Sequence, residues 1–178
     1  GKVNRFQINL TDHAYWIGKN AFDYCVEFRD YGASISKKYR NTESCKIVKL
    51  PFYPEVDENV PFEGFPFDET GKFVVFSGGA LYKTLSSDRL YYDIVRNFLK
   101  ADEKVVFWYA GTGDDSELRK VISEFPERVF HTAERKDLFQ VLKHCHLYLN
   151  TYPIVGGLMT QYAVRAGIIT LTLVQDEC

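Results

Sequence analysis

Apolar runs that alternate with helical patterns dominate the second part of the chain. The run KFVVFS, residues 72–77, has no polar face, which is typical of a strand buried on both sides of a sheet. Residues 88–99 follow it, with Leu90, Ile94 and Val95 at helical spacing after Asp88, a residue that can cap a helix. Strands separated by helices of this length are parallel, because a parallel connection must cross over a face of the sheet.

From residue 72 onward, the pattern predicts five strands in alternation with four helices. The predicted strands are residues 72–77, 104–109, 128–130, 146–150 and 168–173. The predicted helices are residues 88–99, 116–125, 136–143 and 158–165. The expected fold class is therefore α/β, a Rossmann-like parallel sheet with helices on both faces.

A separate strand pattern precedes this sheet and indicates part of a second α/β half. RFQINL, DYCVEF and IVKL, at residues 5–10, 23–28 and 47–50, predict three short strands. Pro54, Pro61 and Pro66 make residues 52–71 unsuitable for a helix or a central strand, so we interpret them as a linker. We expect two parts, residues 1–67 with the linker and residues 68–178.

The two ends of the chain lie close to predicted strands. We therefore expect a fragment whose second part lacks its last strand and closing helices. Such a fragment is expected to be less stable than a longer chain, or to depend on self-association.

Composition and charge narrow the class of protein. With 46% hydrophobic and 16% aromatic residues, the chain can bury a substantial core. Lys and Arg (22) nearly balance Asp and Glu (24), which disfavours a nucleic-acid partner. The four cysteines form no CxxC pair, and the run His144-Cys145-His146 places adjacent side chains in different directions, so we expect no metal and no cofactor. No signal peptide or long apolar run appears, which favours the cytoplasm.

Two loops at carboxyl ends of predicted strands have the features of a phosphate site. After the first strand, Gly78 and Gly79 allow a tight turn, and Lys83 can neutralise a diphosphate. After the fourth strand, residues 150–157 end in Gly156-Gly157 and lead into a helix whose free N–H groups favour an anion. The alternatives are a helix-entry loop with a solvated lysine and a tight turn. The two loops share one cleft if the first and fourth strands are close.

Three other positions are weaker candidates. AGTGD, residues 110–114, lacks the third glycine of a dinucleotide fingerprint and follows the second strand, so we interpret it as a turn and disfavour a dehydrogenase. A base or ribose can lie against residues 132–135, which are otherwise a charged surface loop. Asp12 and His13 follow a strand of the first part, where His13 can act as general base for an acceptor hydroxyl; the alternative is a structural histidine.

Three stretches carry a resemblance to a known family. FSGGALYKTLSSDRL (76–90), AERKDLF (133–139) and LYLNTYPIVGGLMTQYAVRAG (147–167) resemble the donor-binding half of GT-B glycosyltransferases. The resemblance is closest to the O-linked N-acetylglucosamine transferases and their bacterial relatives. DYCVEF and IVKLPFYP are similar to the end of that family's acceptor half.

The resemblance implies a metal-independent enzyme that uses a nucleotide sugar, typically UDP-linked. It implies that Lys83 contacts the phosphates and that Ala133 and Arg135 lie by the base. The pyrophosphate would be held by backbone N–H groups of Gly156, Gly157, Leu158 and Met159. The implied acceptor is a saccharide, glycolipid or protein, which leaves peripheral membrane association open.

The chain departs from the family at several positions. Tyr162 stands where relatives have a carboxylate that binds the ribose hydroxyls, and a tyrosine cannot accept two hydrogen bonds as a carboxylate does. Ala80, Leu138 and Val141 replace polar residues. Two alternatives remain open: a non-catalytic nucleotide-binding domain and a GT-B nucleotide-sugar epimerase.

Overall fold

The computed structural model describes residues 3–11, 18 and 20–174, which form two compact units. The units divide between Tyr53 and Pro54, whereas the sequence pattern placed the boundary at residue 67. Residues 54–67 have no helix or strand, as the prolines predict, but they belong to the second unit. Aromatic packing is the reason, because the rings of Phe65 and Phe67 lie 5.8 and 6.1 Å from the ring of the buried Trp108.

In its described residues, the first unit has a three-stranded parallel sheet and one α-helix. Its strands pair in the order β1-β2-β3, and they confirm the three strands predicted from the sequence. Its elements are β1 (Phe6–Asn9), β2 (Tyr24–Glu27), α1 (Asp30–Lys38) and β3 (Ile47–Lys49). Asp30 in the first turn of α1 and Lys37 and Lys38 in the last turn complement the helix dipole.

A buried carboxylate joins the elements of this unit. Glu27 is fully buried at the end of β2, and the Asn9 side chain at the end of β1 donates to both of its oxygens at 3.0 Å. The Ser36 hydroxyl on α1 and the Cys25 thiol also donate to the carboxylate. Burial, and then the charge of Glu27, raise the pKa of Cys25 to about 11, so this thiol stays protonated.

The second unit is a five-stranded parallel sheet in the order β6-β5-β4-β7-β8. Its strands are β4 (Phe73–Gly78), β5 (Val105–Ala110), β6 (Val129–Thr132), β7 (Leu147–Leu149) and β8 (Ile169–Leu171). Its helices are α2 (Leu90–Ala101), α3 (Ser116–Glu124), α4 (Leu138–His144) and α5 (Gly157–Ala166). The alternation predicted from residue 72 onward is confirmed.

The two faces of this sheet carry separate hydrophobic cores. Along β5, Phe107 and Tyr109 pack in a core with residues of α2 and α3, whereas Trp108 packs with residues of α4 and α5. Every residue of β5 is buried, as a strand covered by helices on both faces requires. None of the described helices has the length and apolar character needed to cross a lipid bilayer.

A side-chain hydrogen bond supplements the pairing of β4 and β7. The backbone N–H of the buried Val74 donates to His146 Nδ1 at 3.0 Å, and the His146 N–H donates to the Val74 carbonyl at 3.0 Å. We expect His146→Ala to lower the free energy of unfolding by about 1–3 kcal/mol, because it removes the acceptor of a buried N–H.

His146→Asn is the matched control for this prediction, because its amide oxygen can reach the position of Nδ1. Both variants lose the contact between the His146 and Phe73 rings, whose centroids are 5.0 Å apart. Chemical denaturation should therefore show a smaller loss for asparagine than for alanine. Equal losses of unfolding free energy in the two variants would show that the ring packing of His146, and not its hydrogen bond with Val74, causes the effect.

Candidate functional site

The order of the strands creates a crevice at the carboxyl edge of the second unit's sheet. From β4 the chain proceeds to β5 and β6 on one side, and then returns to place β7 and β8 on the other side. The order therefore reverses between β4 and β7, and open α/β sheets bind ligands at such switch points. Pairing of Val75 with Leu147 and of Phe76 with Tyr148 confirms that the first and fourth strands are adjacent.

The loops that follow β4 and β7 are in direct contact. The Ile154 N–H, in the loop after β7, donates to the Lys83 carbonyl, in the loop after β4, at 3.3 Å. Lys83 is half-buried in a short 3-10 turn, Leu81–Thr84. Within the described part of the chain, no carboxylate forms an ion pair with Lys83. Its charge is therefore available for an anion in the crevice.

Asn150 fixes the start of α5. Its side chain is buried, and its Oδ1 accepts from the N–H groups of Thr151 and Gly156, both at 2.9 Å. Its Nδ2 donates to the hydroxyls of Thr160 and Thr172, at 2.9 and 3.3 Å. The sequence pattern indicated Asn150 only as the first residue of this loop, because partners of its side chain lie up to 22 residues away.

The first turn of α5 presents free backbone donors. Gly156 occupies the position before the helix, no side chain of the described residues caps it, and the first turn holds no acidic residue. The N–H groups of Gly157, Leu158 and Met159 have no partner within the helix, as in any first turn. Together with the positive end of the helix dipole, these groups can bind a phosphate.

The loop after β5 serves a packing role. A Cβ on Gly111 would lie 1.9 Å from the carbonyl oxygen of Gly79, so these backbones approach more closely than any side chain permits. Gly79 has a φ of 124°, a conformation that favours glycine. The Leu81 N–H donates to the Thr112 carbonyl at 2.9 Å, which ties the loop after β5 to the loop of Lys83.

Arg135, expected beside a base, is bonded to protein groups. Its guanidinium forms a bidentate pair with Asp137 at 2.7 and 2.6 Å, and it also donates to the Gly64 carbonyl at 3.2 Å. Burial would raise the pKa of Asp137, but hydrogen bonds from Arg135 and from the Glu63 N–H lower it below its usual value. Ala133 is exposed just after β6. The pair of Arg135 and Asp137 therefore anchors residues 63 and 64.

Tyr162, in place of the expected carboxylate, contacts the segment that begins the second unit. Its hydroxyl donates to the Glu55 carbonyl at 3.2 Å. Both residues line a cavity of about 250 Å³ together with Asp57, Arg135 and Leu138. Asp12 and His13, the predicted catalytic residues, lie outside the described residues.

Backbone groups of the protein bond the two histidines of the His144-Cys145-His146 run. His144 Nδ1 lies 2.7 Å from the Gln140 carbonyl, and His146 Nδ1 accepts from Val74. No group of three or more His, Cys, Asp or Glu in the described ranges is placed to hold a metal ion.

Solved structures share this fold, although no protein-family model and no curated protein matches the sequence. HepE of Anabaena, solved in complex with UDP and glucose, has a TM-score of 0.64 and 16% identity over 85% of this chain and 45% of its own. The pneumococcal O-GlcNAc transferase GtfA, in complex with UDP and GlcNAc, has a TM-score of 0.62 and 19% identity over 85% of this chain and 30% of its own. WaaG, a glycosyltransferase involved in lipopolysaccharide biosynthesis, has a TM-score of 0.60 and 15% identity. The match covers 82% of this chain and 43% of the WaaG chain.

These similarities establish the fold. The chain has the architecture of GT-B glycosyltransferases, as expected from the resemblance of its loop sequences. It spans less than half the length of each of these three structures.

Proposed function

We propose that the chain is part of a glycosyltransferase that binds a nucleotide sugar, with a UDP-sugar favoured. The observation that carries the proposal is the pairing of β4 with β7. This pairing places the loop of Lys83 against the loop that leads into the free N-terminus of α5. The solved structures of similar fold that contain UDP with glucose or GlcNAc support the same class of ligand.

The chemistry requires stabilisation of a leaving diphosphate. The acceptor hydroxyl oxygen forms a bond to the anomeric carbon, the bond from that carbon to the diphosphate oxygen breaks, and the hydroxyl proton passes to a base. Negative charge grows on the diphosphate, where Lys83 and the amides of Gly157, Leu158 and Met159 stabilise it without a metal. We propose that His13 is the base that accepts this proton and that Asp12 is its neighbour at the site. The ground is that both residues follow β1 in the sequence.

The acceptor in this proposal is a saccharide, a glycolipid or a protein, and the reaction takes place in the cytoplasm. A glycolipid acceptor would bring the enzyme to a membrane surface. Among the structures of similar fold, WaaG is involved in lipopolysaccharide biosynthesis. We favour polysaccharide biosynthesis for this chain on that ground.

A non-catalytic nucleotide-binding domain is the second candidate. Arg135 and Tyr162, which would face the base and the ribose, both bond to protein groups instead. Release of free UDP from a UDP-sugar in the presence of acceptor distinguishes the enzyme from a binding domain. A product that carries the sugar distinguishes transfer from epimerisation, which leaves the sugar on the nucleotide.

Thermal unfolding tests the proposed ligand. UDP at about 100 times its dissociation constant should stabilise the protein by about 2.7 kcal/mol, whereas uridine at the same concentration should have little effect. Gly157→Val should abolish the stabilisation by UDP, because a branched side chain crowds the first-turn amides. The melting temperature of this variant without ligand shows whether it folds. Equal stabilisation by UDP and uridine would contradict a diphosphate site.

A further inference from the structure

The cavity beside Tyr162 has one wall made by the irregular segment 55–60. The opposite wall consists of the end of the loop after β6, the start of α4 and Tyr162 on α5. All of these residues belong to the second unit. The cavity is therefore a feature of this unit alone.

Contacts with α4 and α5 hold the segment in place. Three side-chain donors bind backbone carbonyls, two within the segment and one directly before it, and the Glu58 carboxylate lies between two cations. The donors are Arg165 to Pro54 at 3.2 Å, Tyr162 to Glu55 at 3.2 Å and Gln140 to Glu58 at 2.8 Å, and the cations are Lys143 at 3.8 Å and Arg165 at 3.6 Å from Glu58. The segment is thus a built wall of the cavity.

The carboxylates that line the cavity differ in how many of their oxygens are already bonded. Asp137 uses both oxygens, with Arg135 and the Glu63 N–H as donors. Asp57 accepts from the Asn59 N–H at 2.9 Å through one oxygen. The Glu55 carboxylate has no hydrogen-bond or ion-pair partner in the described residues. Glu55 can therefore accept two hydroxyl groups at once.

The cavity and the first-turn amides lie along one helix. Tyr162 is five residues after Gly157, about 7.5 Å along the axis of α5. A nucleoside diphosphate bound to the amides by its phosphates therefore has its ribose within reach of the cavity. We propose that segment 55–60 forms a wall of the nucleoside site and that the Glu55 carboxylate accepts the two ribose hydroxyls. This inference rests on the proposed function.

Comparison of UDP with 2′-deoxy-UDP tests the role of Glu55. The unsubstituted chain should bind UDP about tenfold more tightly than 2′-deoxy-UDP, as expected for one charge-assisted hydrogen bond. Glu55→Gln should weaken UDP binding about tenfold more than it weakens 2′-deoxy-UDP binding, because 2′-deoxy-UDP has only the 3′-hydroxyl to lose a contact with, so the ratio of the two affinities falls toward one. The backbone contact of Tyr162 with residue 55 is retained in this variant. Asp57→Asn, which changes the charge equally, should keep the ratio near ten.

The outcomes separate this inference from the proposed function. If the unsubstituted chain binds UDP and 2′-deoxy-UDP equally, or Glu55→Gln keeps the full ratio, the role of Glu55 is overturned and the diphosphate site stands. A loss of the ratio in Asp57→Asn alone would also overturn it. Failure of the unsubstituted chain to bind UDP at all would overturn both proposals.

Discussion

Replacing Gly111 by alanine is expected to lower the free energy of unfolding by about 3 kcal/mol or more. The new Cβ would lie 1.9 Å from the Gly79 carbonyl oxygen and 3.0 Å from a ring carbon of Tyr109. The Gly111 N–H also donates to the Thr132 carbonyl at 3.0 Å, so the backbone of Gly111 cannot move without loss of a bond. Chemical denaturation followed by circular dichroism measures the effect.

Gly71→Ala is the control for this variant. Gly71 has a φ of 69°, and nothing lies within 4 Å of the position of its Cβ. Its substitution should cost only the strain of the left-handed conformation, about 1–2 kcal/mol. Gly111 does not have a positive φ, so a loss no larger than that of Gly71→Ala would show that its loop and the loop of Gly79 are not closely packed.

The strands of the second unit could be predicted closely because burial on both faces leaves a strong local signal. Residues 104–109 were expected as a strand and form β5, Val105–Ala110. The order of the strands has no such signal, since β4 and β7 are separated by two intervening strands and three helices. The predicted cleft therefore depended on an adjacency that only the structure could show.

The predicted boundary at residue 67 differs from the division between Tyr53 and Pro54 because prolines report only on local conformation. They correctly excluded helix and strand from residues 54–67. They do not show that Phe62, Phe65 and Phe67 pack on the core, with the Phe62 ring stacked 4.0 Å from that of His144. Such contacts join residues far apart in the chain and follow no periodic pattern.

The candidate site shows the same division between local and distant information. The two glycines at the start of α5 and the lysine after β4 are local features that the sequence shows directly. The bonds of Arg135 to Gly64 and of Tyr162 to Glu55 span 71 and 107 residues, so nothing near either residue indicates them. The wall formed by residues 55–60 could not be predicted for that reason.

Lys83→Ala is expected to weaken UDP binding by about tenfold to a hundredfold, because a charge-assisted contact with a phosphate is worth about 1.5–3 kcal/mol. Uridine, which lacks the diphosphate, should bind almost as before. The backbone bond from Ile154 to the carbonyl of residue 83 does not involve the side chain, so the two loops should stay together. Isothermal titration calorimetry of the variant with both ligands measures the difference.

Lys100→Ala provides the matched change in net charge. Lys100 is exposed in the last turn of α2, so its charge lies outside the crevice between β4 and β7. Its loss should reduce UDP affinity much less than the loss of Lys83, because exposed charges beyond about 10 Å are screened at ordinary ionic strength. Equal effects of the two variants would mean that net charge attracts the ligand. Equal weakening of UDP and uridine by Lys83→Ala would instead show a loss of structure, and in either case Lys83 would not be the phosphate-binding residue.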